Sequence, residues 1–452
     1  MPPEVSDDRA YRRTWWAWAL YDVANSAFYL IIVAAVFPFF FQEIYLAGQV
    51  ADPSALSEAK KAALRTQGAS LLALTAGIAM AFVAVLGPVL GAVADRCGNK
   101  KKFLTAFMTL GAGASALMFL IGERDVTFAA ILYAVGTVGV AGSIVFYDAL
   151  LPGVARPSDL DRISTIGFSL GYAGSVLLLI VDFVLITSPA AFGLSGAGAA
   201  VRWSFLGVAI WWVLFSIPLL RKVPEPPCPP RDPAEASVVW AGFRQLGRTL
   251  RKVGRYRQLL LFLIAYWIYS DGIGTIIKMA TPFGYSLGVK QKDLMLALIL
   301  TQVVGVPCAL LFGKLAGRIG SKAGILLGLG VYAAICASAT LMTQTWHFYA
   351  LAVAVGLVQG GTQALSRSLF TKMIPSNQAG EFFGFFSTME KFAGILGPLL
   401  LAILWGGRDP DPRRGILALS AFFVVGGALL WRVNVAEGQR AAAAAQPEAS
   451  PA

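Results

Sequence analysis

The sequence is short of charge, histidine and cysteine. Charged residues make up 14% of its 452 positions, against about a quarter in a typical soluble domain. A single histidine, His347, leaves little material for Ser-His or Cys-His catalysis or for a histidine-ligated metal. The four cysteines are scattered without a C-x-x-C pair, which argues against a disulfide framework and a zinc site. These shortages disfavour an enzyme, and we expect no cofactor and no metal.

Hydrophobic residues are abundant and come in long blocks. They form 57% of the chain, and the mean hydropathy is +0.67. Blocks of about 20 apolar residues can cross the hydrocarbon core of a bilayer. We therefore predict an all-α integral membrane protein with twelve transmembrane helices. The predicted spans are 15–42, 70–94, 103–122, 127–150, 163–187, 202–220, 258–286, 293–316, 322–342, 347–371, 382–405 and 414–433.

The positive charge is distributed unevenly between the two sides of these spans. If the N-terminus is inside, most lysines and arginines outside the spans fall in the inner loops, as the positive-inside rule requires. Both termini are therefore predicted to be cytoplasmic, in a multi-pass protein of the bacterial inner membrane. The net charge of +12 is explained by this bias and by anionic lipid. We expect no nucleic-acid partner.

The chain divides into two halves around a central loop. We predict a six-helix bundle over 1–220, a cytoplasmic loop over 221–257, a second six-helix bundle over 258–434 and a disordered tail over 435–452. The loop opens with the Pro-rich VPEPPCPPRDP, which cannot be helical. Arginines and apolar residues then alternate at helical spacing over 238–257, which favours a basic amphipathic helix on anionic lipid.

A loop motif occurs once in each half. GPVLGAVADRCGNKKK follows the second span and FGKLAGRIGSKAG follows the eighth, and both contain G-x-x-A-[DG]-R-x-G-x-K. Duplicated halves are typical of transporters built from structural repeats. The first copy, at Gly91, Asp95, Arg96, Gly98 and Lys100, resembles the loop 2–3 signature of the major facilitator superfamily.

Four further stretches resemble one branch of that superfamily, the vacuole-effluxer-like proteins related to the autophagy-linked vacuolar amino-acid effluxers of fungi. They are LYDVANSAF (20–28), AYWIYSDGIGTIIKMAT (265–281), GLVQGGTQALSRSLF (356–370) and EFFGFFSTMEKFAGILGP (381–398). The chain departs from the pattern at Val23, Gly317 and Glu390.

The resemblance implies transport by alternating access, with spans one, four, seven and ten around a central cavity. It also implies that the first loop motif is a conformational latch. A plain positive-inside anchor is the alternative, which Asp95 argues against.

Charged residues inside the spans are candidates for a functional site, because each costs about 2.5–3.5 kcal/mol of insertion free energy at a helix centre. Polar residues fall on one helical face in the first, seventh and tenth spans. The candidate cavity residues, with neighbouring polar positions, are Tyr21, Asp22, Asn25, Ser26, Tyr147, Asp148, Asp271, Lys278, Gln359, Gln363, Arg367, Glu390 and Lys391.

We hypothesise that Arg367 and Lys278 bind an anionic group of the solute, with Lys391 as a third candidate. Asp22 or Asp271 would bind an ammonium group or carry a coupling proton. The alternative is internal pairing, of Asp22 with Lys278 or Arg367, that only neutralises charge. Glycines such as 167, 171 and 174 are interpreted as close helix packing.

The sequence therefore predicts a monomeric secondary active transporter of a small polar solute, such as an amino acid, a related zwitterion or an organic anion. The coupling ion would be H+ or Na+. No Walker loop is present for ATP hydrolysis. A lipid or drug exporter on the same fold is the main alternative, and an integral-membrane enzyme or a non-transporting sensor is less favoured.

Overall fold

The described part of the chain is almost entirely helical. The computed structural model describes residues 8–50, 56–225, 256–286, 289, 291–392, 396–397, 400 and 412–444. The predicted amphipathic helix at 238–257 lies outside the described residues except for its last two positions. The α-helices are α1 Asp8–Ala27, α2 Phe37–Gln49, α3 Glu58–Cys97, α4 Lys100–Leu117, α5 Val126–Val154, α6 Leu160–Thr187, α7 Ala197–Lys222, α8 Arg257–Ser286, α9 Gln291–Ile319, α10 Ser321–Ala339, α11 Thr345–Lys372, α12 Ala379–Phe392, α13 Pro412–Ala418, α14 Ser420–Arg432 and α15 Val435–Ala444.

Eleven helical segments in the described residues are long and apolar enough to cross a membrane. They match eleven of the twelve predicted spans, and the predicted all-α membrane fold is confirmed. The other predicted span, 382–405, is described only through α12 and a few later residues. Large apolar side chains such as Leu74 and Val85 are exposed on the outer helix faces, where lipid would cover them. Helices suit this environment because they satisfy their own backbone hydrogen bonds.

The first predicted span, 15–42, is not one continuous helix. α1 passes into a π-helical segment, Phe28–Ala35, and α2 then begins at Phe37. Pro38 stands in the first turn of α2, where its missing N–H removes no helical hydrogen bond. Within a continuous helix the same proline would remove one, so the chain starts a new helix here.

Each half of the chain has its own apolar core. One cluster of buried residues extends from Trp15 to Val223, and a second extends from Leu259 to Val433 and also includes Ala149 of α5. Between the halves, α3 packs against α12, and α6 packs against α9 and α11. Polar residues of α1, α5, α6 and α11 therefore meet between the two cores.

The two copies of the loop motif share a backbone feature. Gly98 follows α3 with φ 58°, and Gly320 follows α9 with φ 86°. Both positive φ values favour glycine, although the two turns differ, since ψ is 34° at Gly98 and 153° at Gly320. The side of the molecule that carries the connections at 98–99, 155–159 and 373–378 is called the basic face below, after the lysines and arginines predicted to hold it in the cytoplasm.

The prediction of a disordered tail over 435–452 is wrong for its first part. Val435–Ala444 form α15, and 445–452 lie outside the described residues. Asn434 accepts the N–H of Glu437 through its side chain at 3.1 Å, as a helix N-cap does. The alanine-rich sequence that follows has high helix propensity, which the tail's low complexity concealed.

Candidate functional site

Arg367 is the centre of a buried polar cluster between the two halves. It belongs to α11 in the second half, and it is 4% exposed. Its Nη1 donates to Asp148 Oδ1 at 3.1 Å, and its Nη2 pairs with Asp22 Oδ2 at 3.4 Å. Nε donates to Ser164 Oγ at 2.9 Å, and Nη2 donates to the Ser164 carbonyl at 3.0 Å. One arginine thus binds α1, α5 and α6 of the first half. These residues and Tyr147 are called the arginine cluster below.

Aromatic rings surround the guanidinium. Its central carbon lies 4.6 Å from the ring centre of Phe168, 4.9 Å from Trp18 and 5.6 Å from Tyr147. Trp18 stacks on Tyr147 at 4.4 Å and donates its indole N–H to the Tyr147 carbonyl at 3.0 Å. The Tyr147 hydroxyl donates to Asp22 Oδ2 at 2.8 Å. Cation–π contacts contribute about 0.5–2 kcal/mol each, so rings as well as carboxylates hold Arg367.

A row of glycines on α6 lets α1 pack closely against α6 beside the arginine cluster. A methyl group at Gly167 would collide with the Asp22 carboxylate, and one at Gly171 would lie 2.5 Å from Ser26 Oγ. Gly174 continues the row along α1. The interpretation of these glycines as close helix packing is confirmed, and at Gly167 the packing is against the site itself.

Of the other polar residues predicted on α1 and α11, Asn25 bonds within its own helix, whereas Gln359 and Gln363 contact α6. Asn25 donates its side-chain amide to the Tyr21 carbonyl at 2.8 Å, one turn earlier on α1. Gln363 accepts from the Tyr172 hydroxyl of α6 at 3.1 Å, and Gln359 lies beside the same tyrosine. The polar stripe of α11 therefore faces the first half, as Arg367 does.

Asp271 forms a separate site on α8. It is fully buried, and its carboxylate accepts the backbone N–H groups of Leu396 and Gly397, each at 3.0 Å. The Thr275 hydroxyl also donates to it, at 3.3 Å. These bonds tie α8 to the chain that follows α12, within the second half.

The structure does not bring Lys278 to Arg367. Lys278 is an exposed residue in the last third of α8, within electrostatic range of Asp271. α8 begins near the basic face, whereas Arg367 lies only five residues before the end of α11 at that face. At a rise of about 1.5 Å per residue, the two positions differ in depth by roughly 20 Å. A solute carboxylate at Arg367 is therefore out of reach of Lys278.

α12 carries two predicted site residues, Glu390 and Lys391. Glu390 is exposed and within electrostatic range of Asp148 and Tyr266. The side chain of Lys391 lies outside the described residues.

Three members of the site were not predicted from the sequence: Trp18, Ser164 and Phe168. Trp18 lies one helical turn before Asp22, so extending the polar stripe backwards would have included it. Ser164 and Phe168 are neutral residues of an apolar helix and carry no comparable signal.

The loop motif packs α3 against α12 at the basic face. A methyl group on Gly91 would collide with the backbone carbonyl of Gly380. Only glycine therefore allows this approach. Arg96 is half-buried in the last turn of α3, which Gly98 ends.

Asp95 joins the halves by binding the start of α12. Its two carboxylate oxygens accept the backbone N–H groups of Gly380 at 2.9 Å and Glu381 at 2.8 Å. These N–H groups have no partner within the helix, and the helix dipole favours a negative charge there. Lys100 pairs with the same carboxylate at 2.8 Å. We call Gly91, Asp95, Lys100 and the first turn of α12 the latch.

A second carboxylate joins the halves on the other side of the basic face. Asp161, at the start of α6, accepts from Ser321 Oγ at 2.8 Å and from Lys372 Nζ at 2.6 Å, and the Ser368 hydroxyl binds it as well. Gly317 occupies the position in the second loop motif that matches the acid of the first. The second half thus receives its carboxylate from the first half. The latch and the Asp161 contacts both join the two halves at the basic face.

Comparison with known proteins identifies the relatives of this chain. The family model described as "Vacuole effluxer Atg22 like" matches residues 10–443. The chain is 37% identical over 411 residues to YxiO of Bacillus subtilis, an uncharacterized MFS-type transporter, with 91% of this chain and 92% of that protein covered. It is 28% identical over 314 residues to autophagy-related protein 22-1 of Aspergillus fumigatus, with 64% of this chain covered. The match spans 51% of that fungal protein.

Solved structures share the fold at low sequence identity. The human organic anion transporter MFSD10 matches with a TM-score of 0.70 at 12% identity, over 95% of this chain and 100% of that one. The major facilitator superfamily transporter FucP, in an outward conformation, matches with a TM-score of 0.69 at 13% identity, over 94% of this chain and 98% of that one. The fold expected from the loop motif is confirmed. Because the family model covers nearly the whole chain, this protein belongs to the Atg22-like vacuole effluxer family of MFS-type transporters.

Proposed function

We propose that this transporter is a secondary active carrier of a small carboxylate-bearing solute, an amino acid or an organic anion, and that Arg367 binds the solute carboxylate. The observation behind the proposal is a buried arginine of one half that is bonded to Asp148 and Asp22 of the other. A guanidinium fork recognises a carboxylate through two parallel hydrogen bonds. In this structure the protein's own carboxylates occupy the fork, and a solute carboxylate is their chemical equivalent.

The location of Arg367 supports a role in alternating access. Its partners lie across the interface between the halves, so separating the halves at this level must break its bonds. A solute that offers a new carboxylate compensates for that loss. Transporters of this architecture move by rocking one half against the other around a site between them. The latch and the Asp161 contacts would open in that movement.

Solute counterflow in proteoliposomes tests the proposal. The panel contains labelled neutral and acidic amino acids, dipeptides and dicarboxylic acids, with a fluorescent drug and a labelled phospholipid as exporter substrates. We expect at least one carboxylate to exchange, and Arg367→Lys to weaken its apparent affinity by about 10- to 100-fold, since a charge-assisted hydrogen bond contributes about 1.5–3 kcal/mol. Arg65→Lys is the matched control, because Arg65 forms a partly exposed pair with Glu43 at 2.8 Å.

Two results would contradict this proposal. Normal transport by both Arg367→Ala and Asp22→Asn would show that the arginine cluster serves only internal charge pairing. Exchange of the drug or the phospholipid, with every carboxylate inactive, would favour an exporter.

A further inference from the structure

We propose that H+ is the coupling ion of this transporter for anionic solutes, and that Asp148 binds the proton when a solute carboxylate displaces this aspartate from Arg367. The inference rests on the proposed function and deepens it by naming the ion, the residue and the charge balance.

The charge balance of the arginine cluster is the first argument. The bonded groups comprise one guanidinium, on Arg367, and two carboxylates, on Asp22 and Asp148. The hydroxyl groups that face them, on Tyr147 of α5 and Tyr172 of α6, are neutral. From α12 and α8, respectively, Glu390 and Tyr266 lie within electrostatic range of Asp148, and neither supplies positive charge. A solute anion therefore enters a site that already holds as much negative as positive charge, or more.

Hydrogen bonding distinguishes the two carboxylates. Asp22 is bonded by Arg367 and also by the Tyr147 hydroxyl at 2.8 Å. Among the residues that the structure describes, Arg367 is the hydrogen-bond donor to the Asp148 carboxylate, at 3.1 Å. When the guanidinium turns to a solute, Asp22 keeps the Tyr147 hydroxyl as a donor, whereas the buried Asp148 carboxylate loses the donor that the described residues give it. A buried charge that loses its partner is strongly unfavourable, and taking up a proton removes the charge.

The proposed movement of the proton and the solute conserves charge and atoms. The proton comes from water on the open side and binds a carboxylate oxygen of Asp148, and no covalent bond to the solute forms or breaks. One anion and one proton then cross together without net charge. On the other side the solute leaves, Arg367 returns to Asp148, and the proton is released to water. A zwitterionic solute brings its own positive charge to Asp148 and crosses without a proton, so the H+ coupling applies to anionic solutes.

The geometry favours H+ over Na+. The guanidinium of Arg367 lies between the two carboxylates, so a metal ion there would be repelled by a fixed positive charge. A proton needs only one carboxylate oxygen.

Infrared spectroscopy of the full-length protein in lipid tests the proton site without any solute. Arg367→Gln imitates the departure of the guanidinium. We expect its spectrum to gain a protonated-carboxyl band relative to the wild type. That band should persist in R367Q/D22N and disappear in R367Q/D148N. The inference is overturned if R367Q gains no band, or if the band is lost with Asp22 and not with Asp148. R367Q/D148E, which keeps a carboxyl, should restore the band if D148N perturbs folding.

Proton movement is measured in proteoliposomes that contain a pH-sensitive dye, with protein-free liposomes as the background. L-lactate and L-alanine are the probes, because they differ only in a hydroxyl group and an ammonium group. We expect L-lactate entry to acidify the lumen in sodium-free buffer by one proton per lactate, and L-alanine entry to leave the lumen pH unchanged. Entry of lactate that requires Na+ would overturn the inference. If neither probe enters, the proposed function fails for these solutes, and the infrared result still decides whether Asp148 binds the proton.

Discussion

Gly167 lies on the face of α6 that packs against Asp22 of the arginine cluster. A methyl group there would collide with the Asp22 carboxylate, which is held at 3.4 Å from Arg367 and 2.8 Å from the Tyr147 hydroxyl. We expect Gly167→Ala to displace Asp22 and to lower counterflow of the carboxylate solute by about 10-fold or more, the effect of losing one charge-assisted hydrogen bond. Gly113→Ala is the control, since nothing lies within 4 Å of a methyl group at Gly113. Normal counterflow in a well-folded Gly167→Ala protein would show that Asp22 can move without consequence.

At the residue scale, the sequence predicts which residues form the site better than it predicts which of them contact one another. The cost of charge in a membrane singles out Asp22, Asp148 and Arg367 without any structure, and the structure brings them together. The same rule also grouped Lys278 with Arg367, because helical spacing defines the face of a residue and carries no information on depth across two helices. Ser164 was not predicted, because a neutral side chain lacks the membrane-insertion cost that distinguishes the charged residues.

The latch makes the α3–α12 contact depend on a glycine. The Gly91 backbone lies so close to the Gly380 carbonyl that a methyl group cannot fit. We expect Gly91→Ala to open the basic face. A cysteine replacing the buried Thr165 on α6, which faces Gly313 of α9, reports this opening through its rate of maleimide labelling. Gly77→Ala is the control on the same helix, because a methyl group there meets nothing within 4 Å. An unchanged labelling rate in Gly91→Ala would mean that the latch does not hold this face closed.

The Asp161 contacts are the counterpart of the latch on the α6 side. Asp161 and Lys372 form a partly buried pair at 2.6 Å between the halves. Removing one partner leaves the other uncompensated, so we expect Asp161→Asn and Lys372→Met each to raise the labelling rate of the Thr165 cysteine several-fold. The double variant should add little to either, since paired residues are not additive. Glu58→Gln, which breaks an exposed pair with Lys61, should have no effect. Additive effects would show that the two residues act independently.

The membrane-spanning helices were predictable from the sequence, because the lipid environment requires an apolar block to be helical. An apolar block long enough to cross a membrane must become a helix, and eleven such segments are found in the described residues. The division of the first block at Pro38 and the helix over Val435–Ala444 follow from local rules that average hydropathy obscures. Contacts between the halves were harder to predict, because glycine backbones and the start of a helix make them. The Asp161 contacts follow this pattern, as the second loop motif has Gly317 where the first has an acid.

At the scale of the whole molecule, the lysine and arginine distribution predicts that the basic face lies in the cytoplasm. Two exposed serines test this orientation, because Ser158 precedes α6 and Ser188 follows it, on opposite sides of the membrane. In a cysteine-free background, we expect a membrane-impermeant maleimide to label Ser188→Cys in intact cells. Ser158→Cys should be labelled only after the membrane is permeabilised. The two variants are matched in chemistry and exposure, so different reactivity in the native protein reports sidedness alone. The reverse pattern would place the latch and the Asp161 contacts outside, and the closed face of this structure would then be the extracellular one.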